Sequence, residues 1–220
     1  MEPKEKEKRN MEHLEKKRHG LLKLLCIYVA AIITGVIVYI ILDSKIYAII
    51  FYVVVLLGLI KYIKQEKCDW RKWFSKIEGG VGSIILMIFV AALLLVINFL
   101  LQIALCYIGE AEPFQFNIFV YIATGLLAPV LEEIVCRGII VDILKEKHKN
   151  VFVVIISALI FYVIHGNPLN IGAFLFGIFA SLTVLKTKNI IPGMVVHLIY
   201  NQITYFLPEI GQTLMSVFKV

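Results

Sequence analysis

The sequence predicts an all-α membrane protein, a polytopic transmembrane helix bundle of about seven or eight spans with its N-terminus in the cytoplasm. Three observations lead to this fold class. Sixty per cent of the 220 residues are hydrophobic, and the mean hydropathy is +0.87. Several apolar runs approach the roughly 20 residues that a helix needs to cross a bilayer. The basic residues concentrate in alternate connections between those runs.

Seven apolar segments are candidate spans. The first is too long for a signal-peptide core and has no convincing cleavage site, so we interpret it as a membrane span. The fifth is short for a crossing, and the third is long enough to tilt. The segments lie near residues 21–42, 46–63, 81–108, 118–143, 151–166, 169–185 and 190–207.

The connections fall into two classes that predict the orientation. One class is basic and alternates along the chain with a class that has no Lys or Arg, apart from Lys45 in the first turn. Basic connections favour the cytoplasmic side, which predicts a cytoplasmic N-terminus. The basic class comprises the N-terminal segment and residues 64–78, 144–150 and 186–189. The other class comprises residues 109–117, residues 166–170 and the segment around Glu209.

Charge and motif content divide the chain into three predicted parts. Residues 1–20 are almost wholly polar and are predicted to form a charged cytoplasmic segment. Residues 21–110 are predicted to be accessory transmembrane helices, because they carry no motif. Residues 111–220 are predicted to form the core of the protein, because they carry every intramembrane polar cluster.

The net charge of +6 does not indicate a nucleic-acid partner. Lys and Arg lie at the ends of the spans, where they orient the protein and meet anionic lipid head groups. The segment around Trp70 and Trp73 mixes basic and aromatic residues, which is typical of an interfacial helix or of a connecting loop with aromatic anchors. The four cysteines form no C-x-x-C spacing, so neither a disulfide framework nor a zinc knuckle is indicated.

Three polar clusters lie in the most apolar segments. They are Glu132-Glu133 with Arg137, His165, and His197 with Asn201. A charged side chain inside a bilayer costs roughly 2.5 kcal/mol or more, so such residues face a partner or a water-filled cavity. At about 1.5 Å per residue from the cytoplasmic helix ends, these groups fall in two layers. One layer lies roughly 20 Å deep and the other, with Arg137 and His197, roughly 12 Å deep. The agreement in depth predicts one shared polar site.

Helical spacing separates the two acids. Glu133 and Arg137 are four residues apart and meet on one helical face as an ion pair. Glu132 is turned about 100° away in a 3.6-residue helix, so it can face another helix and act as a general base. The alternative is that both acids share Arg137 as a static polar lock. A catalytic thiol at Cys136 is a weaker hypothesis, because a buried Cys is usually a small hydrophobe.

The two histidines support two further interpretations. His197 and Asn201 share a helical face, which suits stabilisation of an oxyanion but also plain hydrogen bonding between helices. Glu132, His165 and His197 can also supply three ligands to a hydrolytic zinc ion. No H-E-x-x-H stretch is present, so zinc is the second choice.

At these positions the sequence resembles the CPBP family of intramembrane proteases, the CAAX-protease and bacteriocin-processing group also called the Abi family. Its motifs E-E-x-x-x-R, F-x-x-x-H and H-x-x-x-N occur here in order on separate apolar segments. They lie in APVLEEIVCRGII, SALIFYVIHG and IPGMVVHLIYNQI, within roughly residues 118–206. One departure is Cys136, where an aromatic residue commonly precedes the Arg.

The resemblance implies an intramembrane endopeptidase of the glutamate type, with residues 111–220 as its catalytic core. It implies that Glu132 and His165 activate a water molecule and that His197 and Asn201 form the oxyanion hole. The family was first proposed to be metal-dependent and is now usually described as glutamate-type, so no cofactor is expected. The predicted site residues are Glu132, His165, His197 and Asn201, with Glu133 and Arg137 in support.

We therefore predict a multi-pass enzyme of the cell membrane that hydrolyses a peptide bond. Its predicted partners are a peptide or protein substrate in or at the membrane and the lipid bilayer, with no nucleic acid. Family roles range from CAAX processing of prenylated proteins to bacteriocin processing and self-immunity. The alternatives are a zinc-dependent protease, a non-catalytic bacteriocin immunity or peptide-binding protein using the same cavity, and a transporter with a Glu132–histidine proton relay.

Overall fold

The computed structural model describes residues 3–42, 45–109, 111, 113–165 and 170–218. It is helical throughout, and no strand occurs in these ranges, which confirms the all-α prediction. Two of the connections without Lys or Arg lie partly outside the described residues. In the 109–117 connection these are Glu110 and Glu112, and in the 166–170 connection they are residues 166–169. The helices are α1 (Pro3–Leu42), α2 (Tyr47–Gln65), α3 (Val81–Tyr107), α4 (Ile118–Lys145), α5 (Asn150–Ile164), α6 (Ile171–Thr187) and α7 (Ile191–Phe218), with a short 3₁₀ turn at Trp70–Phe74.

In the part of the chain that the structure describes, four helices are long and apolar enough to cross a membrane. They are Leu22–Ile41 within α1, and the whole of α2, α3 and α4. Helices α5 and α6 are apolar but shorter, with 15 and 17 residues. Helix α7 has 28 residues, contains Pro208 and continues past the predicted end of the last span. The count of seven or eight spans and the cytoplasmic N-terminus stay predictions.

The surface of α3 supports a membrane environment. Its outward side chains are large and apolar, and several are more than half exposed. Such a continuous apolar face is unfavourable in water but suits contact with lipid. The most exposed of these side chains are Val81, Ile85, Phe89, Leu100 and Leu101.

The chain forms two compact units, one ending at Asp69 and the other beginning at Trp70. In the first unit α1 packs against α2. The helices approach closely at Gly58, where an added Cβ would lie 2.6 Å from Ile27 Cγ2. Lys23 and Glu66 form an ion pair at the same interface. The second unit contains every predicted site residue.

In the second unit, α3 packs against α6 and α7, α5 packs against α6, and α4 lies between α5 and α7. The closest approach of α5 and α6 is at Gly177, where an added Cβ would lie 3.0 Å from Ala158 Cα. Small residues permit such backbone contact in membrane bundles. The consequence is that α4, α5 and α7 present their polar residues to one region.

The segment before α3 differs in part from the prediction of an interfacial anchor. Trp70 is 47% exposed, but Trp73 is only 4% exposed. The Trp73 indole Nε1 donates a 2.6 Å hydrogen bond to Asp142 Oδ2. Its ring lies over Gly138 of α4, where an added Cβ would be 3.0 Å away. Trp73 therefore packs against α4, and Trp70 is the exposed aromatic residue.

Candidate active site

The acidic pair lies in an irregular part of α4. One α-helical turn, Ala128–Glu133, is flanked by two π-helical segments, Tyr121–Leu127 and Ile134–Ile140. Wider π-helical turns change which way the following residues point, and they occur frequently at functional sites. The depth and angle estimates for a regular helix therefore apply only locally in α4.

Glu132 faces two imidazoles from other helices. Its carboxylate oxygen Oε2 lies 3.9 Å from His165 Nε2 and 3.9 Å from His197 Nε2. Glu132 comes from α4, His165 from the C-terminal end of α5, and His197 from α7. Glu132 is only 6% exposed. The structure thus brings together three predicted site residues that are far apart in the sequence.

The two histidines are held by their second ring nitrogens. His165 Nδ1 lies 2.8 Å from the carbonyl oxygen of Phe161. A carbonyl oxygen only accepts, so this contact requires a proton on Nδ1, and the ring directs Nε2 toward Glu132. His197 Nδ1 faces Glu133 Oε1 at 3.3 Å. The Phe161 ring packs against both imidazoles, with centroids 4.4 and 5.3 Å apart.

The predicted pair of Glu133 and Arg137 is confirmed. Arg137 Nη1 lies 3.3 Å from Glu133 Oε1, and the two side chains are 1% and 0% exposed. The Arg137 guanidinium also lies 4.2 Å above the Phe161 ring and donates a 3.4 Å hydrogen bond to the Gly177 carbonyl oxygen. The static lock, in which both acids share Arg137, does not describe this arrangement, because Glu132 faces the histidines.

Glu133 makes a contact that sequence reasoning missed. The same oxygen that faces Arg137 also faces His197 Nδ1, so Glu133 links the ion pair to the histidine. Neither contact has hydrogen-bond geometry: charge attraction holds Arg137 to Glu133, and His197 Nδ1 lies against the same oxygen. Gly193 leaves room for this carboxylate, because an added Cβ there would lie 2.9 Å from Glu133 Oε2.

Asn201 and its neighbour bind the backbone of α4. Asn201 Nδ2 donates a 2.9 Å hydrogen bond to the carbonyl oxygen of Thr124. Gln202 Nε2 donates a 2.7 Å hydrogen bond to the carbonyl oxygen of Gly125. The sequence predicted a shared face for His197 and Asn201, but it did not predict that α4 engages one Asn201 amide hydrogen.

A cleft of about 810 Å³ borders the site. His165, His197 and Asn201 line it beside apolar side chains such as Phe176. Helix α3, which carries no motif, contributes several lining residues to the cleft, and sequence reasoning missed this contribution. Its Asn98 Nδ2 donates a 2.6 Å hydrogen bond to the Tyr200 hydroxyl. A polar residue in the middle of such an apolar helix is the signal that points to it.

The thiol of Cys136 is poorly placed for nucleophilic attack. Its side chain is fully buried, and the residue does not line the cleft. Its carbonyl oxygen accepts a 3.0 Å hydrogen bond from the Ser157 hydroxyl. Cys136 therefore packs as a small buried residue between α4 and α5.

Residues 114–203 match the family model described as type II CAAX prenyl endopeptidase Rce1-like. This match confirms the resemblance drawn from the three motifs, and it includes all six predicted site residues. Neither the curated proteins nor the solved structures contain a match to this chain. The family match implies a membrane-embedded endopeptidase, a hydrolase.

Proposed function

We propose that this chain, Rce1-like over residues 114–203, is an intramembrane peptidase of the cell membrane that hydrolyses a peptide bond of a membrane-associated peptide or protein. The observation that carries this proposal is the position of the Glu132 carboxylate, 3.9 Å from the Nε2 atoms of both His165 and His197. His165, His197 and Asn201 of this site line a cleft whose surface is mainly apolar. An extended apolar peptide fits such a cleft better than a soluble polar substrate does.

In the proposed reaction, a water molecule is held between Glu132 and His165. Glu132 accepts a proton from the water as its oxygen attacks the carbonyl carbon of the scissile peptide bond. The carbon–nitrogen bond then breaks, and Glu132 returns the proton to the leaving nitrogen. The lone pair on His165 Nε2 suits a hydrogen bond from the same water, because Nδ1 holds the proton.

The developing oxyanion is assigned to His197 and Asn201. A carboxamide has two N–H donors, and α4 engages one of those of Asn201. That bond fixes the plane of the amide, and its second hydrogen remains to donate into the cleft. Pre-oriented donors stabilise negative charge strongly where water is excluded. His197 is fixed similarly, by Glu133 on its Nδ1 side.

The metal-dependent version of this site also has structural support. Glu132, His165 and His197 each offer a ligand atom, and these atoms lie within 4.8 Å of one another. Catalytic zinc uses such ligand sets, and ligating histidines usually donate their other nitrogen to a carbonyl or carboxylate. Zinc bound here would polarise the scissile carbonyl and the attacking water.

We propose the metal-free version because it requires no movement of the three side chains. Zinc–ligand bonds of about 2.0–2.1 Å in a tetrahedron place ligand atoms roughly 3.4 Å apart. A water hydrogen-bonded at about 2.8 Å places its partners roughly 4.6 Å apart at tetrahedral angles, and these angles vary widely. The observed 3.9 Å separations lie between the two values. Zinc requires the ligand atoms to approach by about 0.5 Å, whereas hydrogen bonds to water tolerate the present spacing.

Chelators are therefore expected to leave cleavage unchanged. The test uses purified protein in liposomes, a prenylated CAAX peptide and a pool of apolar peptides, with and without EDTA or phenanthroline. The zinc content of the same protein is measured by mass spectrometry. Stoichiometric zinc that is lost together with activity, and that restores activity when added back, would contradict the metal-free mechanism.

Replacing Asn201 by Ala is expected to lower the single-turnover rate constant by roughly 100- to 1,000-fold, because one oxyanion donor is lost. His197→Ala is expected to behave similarly. The double variant should lose less than the product of the two effects, since both donors act on one charge. Substrate binding should weaken much less than turnover.

Thermal unfolding of each variant is the control for this prediction. A rate loss that follows a loss of folded protein would make the pair a structural contact between helices. A rate for Asn201→Ala equal to that of the wild type would place the oxyanion donors elsewhere in the cleft.

A further inference from the structure

Two adjacent carbonyl groups of α4 accept hydrogen bonds from side chains of α7. The carbonyl oxygen of Thr124 accepts from Asn201 Nδ2, and that of Gly125 accepts from Gln202 Nε2. Both carbonyls lie in the π-helical segment Tyr121–Leu127, one turn before the acidic pair. Consecutive amide side chains of α7 therefore pair with consecutive carbonyls of α4.

Pro129 removes one possible helical donor from each of these two carbonyls. Pro129 lies four residues after Gly125, at the position of the backbone donor to that carbonyl in an α-helix. It lies five residues after Thr124, at the position of the donor in a π-helix. Proline has no backbone N–H. The preceding amide, Ala128 N–H, bonds to the carbonyl oxygen of Ala123. An unpaired carbonyl costs several kcal/mol in a bilayer, where water does not replace the lost donor.

Both the oxygen and the nitrogen of the Gln202 side-chain amide contact α4. The Tyr121 hydroxyl donates to Gln202 Oε1, which fixes the amide from the first residue of the π-helical segment. Gly125 gives the amide its close approach, because a Cβ there would lie 2.8 Å from Gln202 Nε2. Gln202 does not line the cleft, and the hydrogen bonds of its side chain go to α4.

We infer that Gln202 is a positioning residue for Glu132: with Asn201, it holds the π-helical segment at two carbonyls from which Pro129 removes a helical donor. This inference rests on the proposed function of Glu132. A π-helical turn contains about one residue more than an α-helical turn, and each residue turns the helix by about 100°. Loss of the wide turn would therefore rotate Glu132 away from His165 and His197.

The test is Gln202→Met, which keeps the length of the side chain and removes its donor. We expect faster hydrogen exchange of the amides over residues 121–133, measured by mass spectrometry on protein in nanodiscs. We expect kcat to fall by as much as about 100-fold, the loss that a small misplacement of a catalytic group causes, with KM little changed. Gln65→Met makes the same change at an exposed glutamine of α2; it is the matched control and should change neither quantity.

The link to Pro129 provides a second measurement. Pro129→Ala restores a backbone N–H to α4, so Gln202→Met should lower the thermal midpoint much less in that background than in the native sequence. Equal losses in both backgrounds, or unchanged exchange over residues 121–133 in Gln202→Met, would overturn the inference. Exchange and unfolding do not depend on cleavage. If the wild-type protein cleaves no peptide, the proposed function fails while these two readouts still decide the role of Gln202.

Discussion

Replacing Glu132 by Gln is expected to lower turnover by about 10²- to 10⁴-fold, the range that a positioned general base contributes. Gln keeps the shape of the side chain but does not accept the proton of the attacking water. The fold should be retained, because Glu132 faces the two histidines and not the Glu133–Arg137 pair. The measurement is single-turnover cleavage in liposomes, together with thermal unfolding of the purified variant.

Glu209→Gln is the matched control, since it makes the same change at an exposed acid on α7. It should retain wild-type turnover. Full activity of Glu132→Gln combined with an inactive but folded Glu133→Gln would reverse the roles that we assign to the two acids.

Replacing Glu133 by Gln is expected to cause the largest loss of stability. It leaves the Arg137 charge buried at 1% exposure without its carboxylate partner. Breaking a buried ion pair from one side costs about 3–5 kcal/mol, which is a large share of the stability of a typical domain. We expect a strongly lowered thermal midpoint and poor expression, and removal of the charge in Glu133→Gln/Arg137→Met should restore part of the loss.

An exposed ion pair is the control for the stability prediction. In this pair Lys23 is 48% exposed and Glu66 is 12% exposed, so water reaches the lysine charge, and pairs at the surface contribute about 0–1 kcal/mol. Glu66→Gln should therefore leave the thermal midpoint almost unchanged. A Glu133→Gln protein as stable as the wild type would mean that Arg137 is neutralised by another group.

The local relations within one helix were predictable from the sequence. The i, i+4 spacing of Glu133 and Arg137 predicts their ion pair, and the 100° offset predicts that Glu132 faces elsewhere. Both relations involve residues at most five positions apart, so they survive even though Arg137 lies in the following π-helical segment. The all-α fold was also predictable, from hydropathy. Long apolar runs indicate membrane spans, and a bilayer admits only fully hydrogen-bonded helices or closed barrels.

The relations between helices were less predictable. The depth estimate placed His197 in the layer of Arg137, whereas its two ring nitrogens face both acids. That estimate assumed a regular rise, and α4 contains two π-helical segments. Pro129 in the first motif is the sequence signal of such an irregularity. The donors that bind the carbonyls of Thr124 and Gly125 come from another helix. They depend on tertiary packing and could not be deduced from sequence spacing.

The contribution of α3 to the cleft was also hidden. Its residues Leu94 and Ile97 line the cleft, yet in the sequence they look like any other apolar residues of a span. A hydrophobic helix has no periodic polar face that would indicate which side meets a neighbour and which side meets lipid. Only packing in three dimensions distinguishes the two sides.

The most direct test of the central claim is the number of peptide molecules that each protein molecule hydrolyses. Wild-type protein in liposomes is incubated with an excess of a prenylated CAAX peptide and a pool of apolar peptides, and both fragments are counted by mass spectrometry. An intramembrane peptidase should release many fragment pairs per protein from a defined bond, and Glu132→Gln should release almost none. Retention of about one intact peptide per protein, with no fragments, would contradict the account and identify a peptide-binding protein instead.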